Sequence, residues 1–246
     1  MGVRLLAAVF MAALGALIAV SFKKISHLGL CLLISFAAGA LLAVALFNIL
    51  PETFHLIGRG AGAVSVLAGY AFFFVIGRFV SHIFPACSAT HTEINFKAIT
   101  ITMMIALAVH SLMDGLAIYS GYLATSQLGL MILLGVAYHK LPEGMALALV
   151  ARGAGQSRLR AFGIAAGLEA VTTLGGGLLG FLALVPGASG WIGYVLGFVG
   201  GGFIYLVLHA LLSEVFRHHP LSTVFASLAG AASILFVGQQ IGAHIH

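Results

Sequence analysis

The chain has 246 residues, of which 61% are hydrophobic and only 7% charged, with a formal net charge of +5. A soluble domain of this length needs far more charge on its surface, so the composition excludes one and indicates a membrane protein. The basic excess does not indicate a nucleic-acid binder, because the Lys and Arg residues stand singly at the ends of apolar runs and form no patch.

The apolar runs have helical length, about 20 residues, and none shows the short alternation of a transmembrane strand. In chain order they predict eight spans: 2–22, 28–50, 62–84, 98–122, 127–151, 159–184, 189–213 and 220–243. The expected fold is an all-α membrane bundle forming a single unit, 1–246. The first run, preceded by Arg4, has the outline of a signal peptide. Its length and the Lys23–Lys24 pair beyond it predict a retained helix instead. The longest polar stretch is the short connection 85–97, with Cys87, His91 and Glu93 in it and His82 just before it. It is expected to be a plain solvated loop. Cys31 and Cys87 are the only cysteines, so there is neither a disulfide framework nor a CxxC motif.

Charge asymmetry orients the spans. Lys23, Lys24, Arg78, Lys97, Arg152, Arg158, Arg160 and Arg217 go with the odd-numbered connections, and only Arg4 and Arg59 with the other side. The positive-inside rule then places the odd connections in the cytoplasm and both termini outside, in a bacterial inner membrane or plasma membrane. The 32 glycines crowd spans six and seven. Such small-residue stripes serve close helix packing, a sliding surface or a homodimer contact.

Of only six acidic residues, Asp114, Glu143 and Glu169 lie inside spans. Two near-copies hold the first two: His110-Ser-Leu-Met-Asp114-Gly-Leu-Ala in span four and His139-Lys-Leu-Pro-Glu143-Gly-Met-Ala in span five. In each, a His and a carboxylate four residues apart share a helix face. Ionisable groups at that depth are unfavourable by about 2.5–3.5 kcal/mol apiece and mark pathways when paired. Two imidazoles and two carboxylates are a ligand set for a divalent transition metal. Both histidines fall at the midpoints of antiparallel neighbours, the depth of transporter sites. Pro142 weakens helix five beside them. Asp114 lies one turn outward of His110, however, and Glu143 one turn inward of His139. The four groups therefore form either one site on offset helices or a two-step ladder.

These motifs resemble the helix-four HNxxDG or HNxPEG and helix-five HxxPEG patterns of the ZIP family of zinc, iron and related metal transporters. Asn48-Ile-Leu-Pro-Glu52 is similar to that family's end of helix two. Leu208-His209-Ala-Leu-Leu-Ser-Glu214 is similar to its helix-seven LHELxPE pattern, with departures. The resemblance implies a 3+2+3 arrangement, with inverted repeats around helices four and five. It implies a transport site of His110, Asp114, His139 and Glu143. It also implies a second metal position at Ser111, Lys140 and Glu169. Lys140 departs from the pattern, since an ammonium repels a second cation. One metal is therefore expected, its charge and that of Lys140 balancing Asp114, Glu143 and Glu169.

In the derived topology Asn48, Glu52 and His55 form an outer capture group, and His209 and Glu214 an inner release group. The transported substrate is expected to be Zn²⁺, with Fe²⁺, Mn²⁺ and Cd²⁺ as companions. The rival reading is an intramembrane zinc-dependent hydrolase, which the absence of HExxH disfavours. Beyond metal ions, lipid and a homodimer partner, nothing in the sequence calls for another ligand.

Overall fold

A computed structural model describes residues 1–22, 26–79, 96–184, 189–212, 215 and 219–243. Among them there are helices and no strands. They are α1 (Gly2–Ser21), α2 (His27–Val44), α3 (Leu50–Phe79), α4 (Phe96–Ala124), α5 (Ser126–Gly153), α6 (Arg158–Ala183), α7 (Ser189–Tyr205) and α8 (Pro220–Ala243). Two π-helical segments interrupt this series. Ala45–Ile49 joins α2 to α3, and Leu206–Leu211 continues α7.

Local chemistry sets the helix ends. Thr125 takes the Leu128 N–H at the start of α5, and Ser26 and Ser157 do the same for α2 and α6. Gly155, at φ +87°, follows the end of α5. Gly58 breaks α3 with φ +79° and ψ 162°, a conformation only glycine adopts readily. This break replaces the connection expected over 51–61: the second helix continues past residue 50, and the third begins directly after the break. Pro51 accounts for the π segment before it, since it cannot donate to the Phe47 carbonyl. No proline lies within the second π segment.

Among the described residues, six helical stretches are long and apolar enough to cross a membrane, one of them the 52-residue run His27–Arg78 that contains the Gly58 break. α5 falls short by composition because His139, Lys140, Pro142 and Glu143 lower the hydropathy of its middle. It is instead buried at the centre, against α1, α2, α4 and α6. Outward-facing side chains such as Phe10, Phe181, Leu182, Phe225 and Phe236 are large and apolar, as a surface against hydrocarbon requires.

Glycines sit at the tightest crossings, in reciprocal pairs. Gly15 and Gly144 bring α1 and α5 together, and Gly115 and Gly176 bring α4 and α6 together. Gly69 with Gly201 does so for α3 and α7, and Gly39 with Gly230 for α2 and α8. At each, an added Cβ would overlap the backbone of the opposite helix. Apolar helices gain little from burial against each other in lipid, so close backbone packing of this kind holds them.

Two apolar clusters fill the interior. One contains Leu107, Met145, Ala165 and Cys31, and the other Ala117, Val136, Leu196 and Ile49. Along α4 the polar residues 110–114 fall between Leu107 and Ala117, and along α5 residues 139–143 fall between Val136 and Met145. A polar layer is thus clamped between two apolar ones.

Candidate metal site

Eight polar side chains make that layer: His110, Ser111 and Asp114 from α4, His139, Lys140 and Glu143 from α5, and Glu169 and Thr173 from α6. None is more than 6% exposed. The spacing of four on α4 leaves His110 Nε2 3.6 Å from Asp114 Oδ2. Asp114 also reaches across to α5, where the same oxygen is 3.2 Å from His139 Nε2. The two imidazoles meet with their Nε2 atoms 3.2 Å apart. One donor atom each from His110, Asp114, His139 and Glu143 lies within 4.8 Å of the others. Of the two arrangements left open by the sequence, the structure has the single cluster.

Proton positions make the cluster an electron-rich one. His139 Nδ1 is 2.9 Å from the Gly135 carbonyl, which can only accept. In the neutral ring the proton therefore sits on Nδ1, and Nε2 presents a lone pair to the site. That lone pair faces the Asp114 carboxylate and the other imidazole. Two acceptors at 3.2 Å repel unless a cation lies between them. Donors at 2.0–2.1 Å around a tetrahedral zinc ion stand about 3.3 Å apart, close to the separations found here. Glu143 Oε1 and Asp114 Oδ1, both buried, have no hydrogen-bond partner. A cavity of about 20 Å³ adjoins the cluster, lined by His110, His139, Pro142, Glu143, Ile34 and Leu206 among others. It has room for about one water. Phe203 closes another side, its ring centroid 6.2 Å from that of His110 and 6.4 Å from that of His139.

The other half of the layer already has its cation. Lys140 is fully buried and points into the cluster, not away from it. Its Nζ is 2.8 Å from Asp114 Oδ2, 3.0 Å from Glu143 Oε2 and 2.5 Å from Glu169 Oε2. It also donates to Ser111 Oγ at 2.8 Å. Ser111 in turn donates to Glu169 Oε2 at 3.0 Å and lies 2.8 Å from Thr173 Oγ1. Ser111, Lys140 and Glu169 are therefore one hydrogen-bonded group sharing Asp114 and Glu143 with the cluster of four.

Asn48, Glu52 and His55 line one cavity of about 330 Å³, together with Thr125 and Gln127 at the α4–α5 junction. His209 is in the second π segment, where its Nε2 is 2.6 Å from the Tyr70 hydroxyl and its ring stacks on Tyr205 at 4.9 Å. Glu214 and the 85–95 part of the polar connection lie outside the described residues. Sequence reasoning missed Thr173, Phe203 and Tyr70. Thr173 alone carried a signal, being four residues from Glu169 on the same helix face.

A helical membrane bundle with a buried, cation-seeking set of imidazoles and carboxylates defines a class: membrane proteins that hold a metal ion in the bundle interior. Within it, residues 87–238 match the family described as Zip, ZIP Zinc transporter, and the chain belongs to that family. It is similar to the zinc transporter ZupT of Chlorobium luteolum, 29% identical over 239 residues that cover 89% of each protein. ZupT of Corynebacterium glutamicum is 26% identical over 241 residues, 89% of this chain and 90% of that protein. The zinc transporter zipt-7.1 of Caenorhabditis briggsae is 28% identical over 156 residues, 60% of this chain but only 39% of the longer nematode protein.

Proposed function

We propose that the chain is a transporter of divalent metal ions, zinc foremost, that moves them into the cytoplasm through the site of His110, Asp114, His139 and Glu143. It is not an enzyme. The observation that carries this reading is the convergence of four buried donor atoms from α4 and α5 within 4.8 Å of one another. A hydrated ion reaching them exchanges water for two imidazoles and two carboxylates, and the small adjoining cavity leaves room for about one retained water. Fe²⁺, Mn²⁺ and Cd²⁺ suit the same donors. Lys140 stands where a second metal would otherwise sit, so one ion binds at a time. That ion and the ammonium together neutralise Asp114, Glu143 and Glu169.

The membrane arrangement in this reading is eight spans grouped 3+2+3, with α4 and α5 at the centre. Supporting it, α1 packs on α5 as α6 packs on α4, and α2 on α8 as α3 on α7. Each π segment also falls near the end of the second helix of its set of three. The Arg4 guanidinium lies 3.7 Å from the centre of the Tyr122 ring, pairing the start of α1 with the end of α4. His219 before α8 meets His27 at the start of α2. These contacts favour both termini on one side, the sparsely charged side that the positive-inside rule makes external. Asn48, Glu52 and His55 then form the external mouth, and His209 with Glu214 the inner release path. The small-residue faces would also accommodate a homodimer.

Flux into proteoliposomes tests the proposal. Purified protein should carry radioactive zinc, with iron, manganese and cadmium competing. Vesicles no more permeable to zinc than protein-free ones would overturn it.

A further inference from the structure

A second set of metal donors lies at the end of α2 away from the Asn48 cavity. His27, Cys31 and His219 each bring one nitrogen or sulfur within 4.8 Å of the other two. None of them touches the site above. His27 and Cys31 are one turn apart on α2, while His219 immediately precedes α8, so two helices contribute. Cys31 Sγ is 3.8 Å from His27 Nδ1 and 3.9 Å from Nε2. The His27 and His219 ring centroids are 5.5 Å apart. A tetrahedral zinc ion with Zn–S near 2.3 Å and Zn–N near 2.0–2.1 Å sets sulfur and nitrogen about 3.6 Å apart. The sulfur is thus at nearly the right distance, and since it stands almost equally far from both His27 nitrogens, the ring must turn for one lone pair to meet the metal.

Fixed backbone presents all three donors. The His219 N–H donates to the Val215 carbonyl at 3.0 Å, and its own carbonyl accepts from Thr223 N at 2.9 Å and Thr223 Oγ1 at 2.7 Å. The Cys31 carbonyl accepts from Ser35 Oγ at 2.7 Å. Cys31 is buried and both histidines are half-buried, so the sulfur is sheltered while the imidazoles leave a way in. The donor set differs in kind from the central one, with a thiolate and two imidazoles and no carboxylate. That combination selects borderline and soft ions, Zn²⁺, Cd²⁺ and Cu⁺, over Mg²⁺, Ca²⁺ and Mn²⁺.

We propose that His27, Cys31 and His219 bind one borderline-to-soft metal ion, with the fourth position open to water. The position is informative. Ile34 and Ala37 of α2 line the cavity beside His110 and His139. Cys31 and His27 are three and seven residues before Ile34, the spacing of one helix face, so the second site lies about 5–10 Å along that face from the cavity wall. Binding there does not depend on the transport reading, because the two sites share no ligand.

Cobalt substitution tests it on the purified full-length protein in detergent, carrying Cys87→Ser so that Cys31 is the sole thiol. Titrated Co²⁺ should give a near-ultraviolet thiolate-to-cobalt charge-transfer band that saturates at one equivalent of thiolate-bound metal. The band should persist when His110 and His139 are both changed to Ala, and disappear with Cys31→Ala. His27→Gln or His219→Gln, each at a half-buried position, should weaken cobalt binding by about tenfold or more at unchanged helical circular dichroism. Absence of the band in the parent protein would overturn the site. So would its survival in Cys31→Ala, its loss in the His110/His139 variant, or unchanged affinity in both glutamine variants.

Discussion

The buried polar layer has two halves built on opposite electrostatic plans. On the His110–His139 side, imidazole nitrogens and carboxylate oxygens converge, with His110 Nε2 and Asp114 Oδ2 each 3.2 Å from His139 Nε2. On the Lys140–Glu169 side, an ammonium lies within 3.0 Å of three carboxylates, and Ser111 and Thr173 complete the network. Asp114 and Glu143 belong to both. On the proposed function, the difference makes one half the place of a mobile ion and the other a permanent counter-charge. The permanent charge holds the shared carboxylates in position when the mobile ion is elsewhere.

The sharpest way to break this comparison is at His139, which belongs to the ion-binding half alone. His139→Ala removes one donor and the Gly135 link that sets the ring's orientation. Changes to groups that merely orient a ligand cost 10–100-fold in affinity or activity, so loss of the ligand itself should reduce zinc uptake by more than about 100-fold. Radioactive uptake into proteoliposomes measures it, and normal uptake by this variant would remove His139 from the site.

Lys140→Met acts on the other half. It leaves Asp114, Glu143 and Glu169 facing one another without a cation, and breaking a buried ion pair in this way destabilises by about 3–5 kcal/mol. The metal-free variant should unfold at a clearly lower temperature in detergent, and saturating zinc should restore most of the loss. With Cys31→Ala in the background to silence the His27–Cys31–His219 site, calorimetry should then count two zinc ions in place of one. A single ion with unaltered stability would mean that the ammonium is not standing in for a second metal.

Protons separate the halves more gently. Metal binding requires both imidazoles neutral and both carboxylates ionised, so each bound ion releases whatever protons those groups held. Lowering the pH through the imidazole range therefore weakens binding, by about tenfold per pH unit for each proton displaced. Raising it tightens binding until the ligands are fully deprotonated, after which the curve flattens. Zinc titrations between about pH 5.5 and 7.5 should show this slope in the native protein. An affinity independent of pH across that window would mean that the ion displaces no proton from these four groups.

Much of this was legible in the sequence, for a physical reason. Inside an apolar bundle each ionisable residue is conspicuous, so the His110–Asp114 and His139–Glu143 repeats stood out from the chain, and Lys140 with them. The helical class followed from run length. What the sequence withheld were axial details. The Gly58 break hides in a run that reads as loop followed by helix. A π segment changes the register by a single residue, and at Leu206–Leu211 it has no proline to announce it. The convergence of the four ligands depends on how α4 and α5 are offset, which local pattern does not encode. Cys31 read as a small apolar residue in an apolar run, because its partner His219 is 188 positions away.

The smallest effect is expected at Thr173, which touches the counter-charge half only through Ser111. Its hydroxyl is buried and 2.8 Å from Ser111 Oγ, which also takes a Lys140 proton and serves Glu169. Thr173→Val keeps the volume and removes one hydrogen bond. Ser111 retains Lys140 and Glu169 as partners, so no charged group is left stranded, and the change should amount to about 1 kcal/mol of stability. Zinc stoichiometry of the buried layer, counted in the Cys31→Ala background, should stay at one, and uptake should remain within about twofold of the native rate, since no donor of the His110–His139 half has moved. A loss of uptake comparable with that of His139→Ala, at native stability, would mean that the α6 side of the layer takes part in holding the ion, and the division of the layer into two plans would fail.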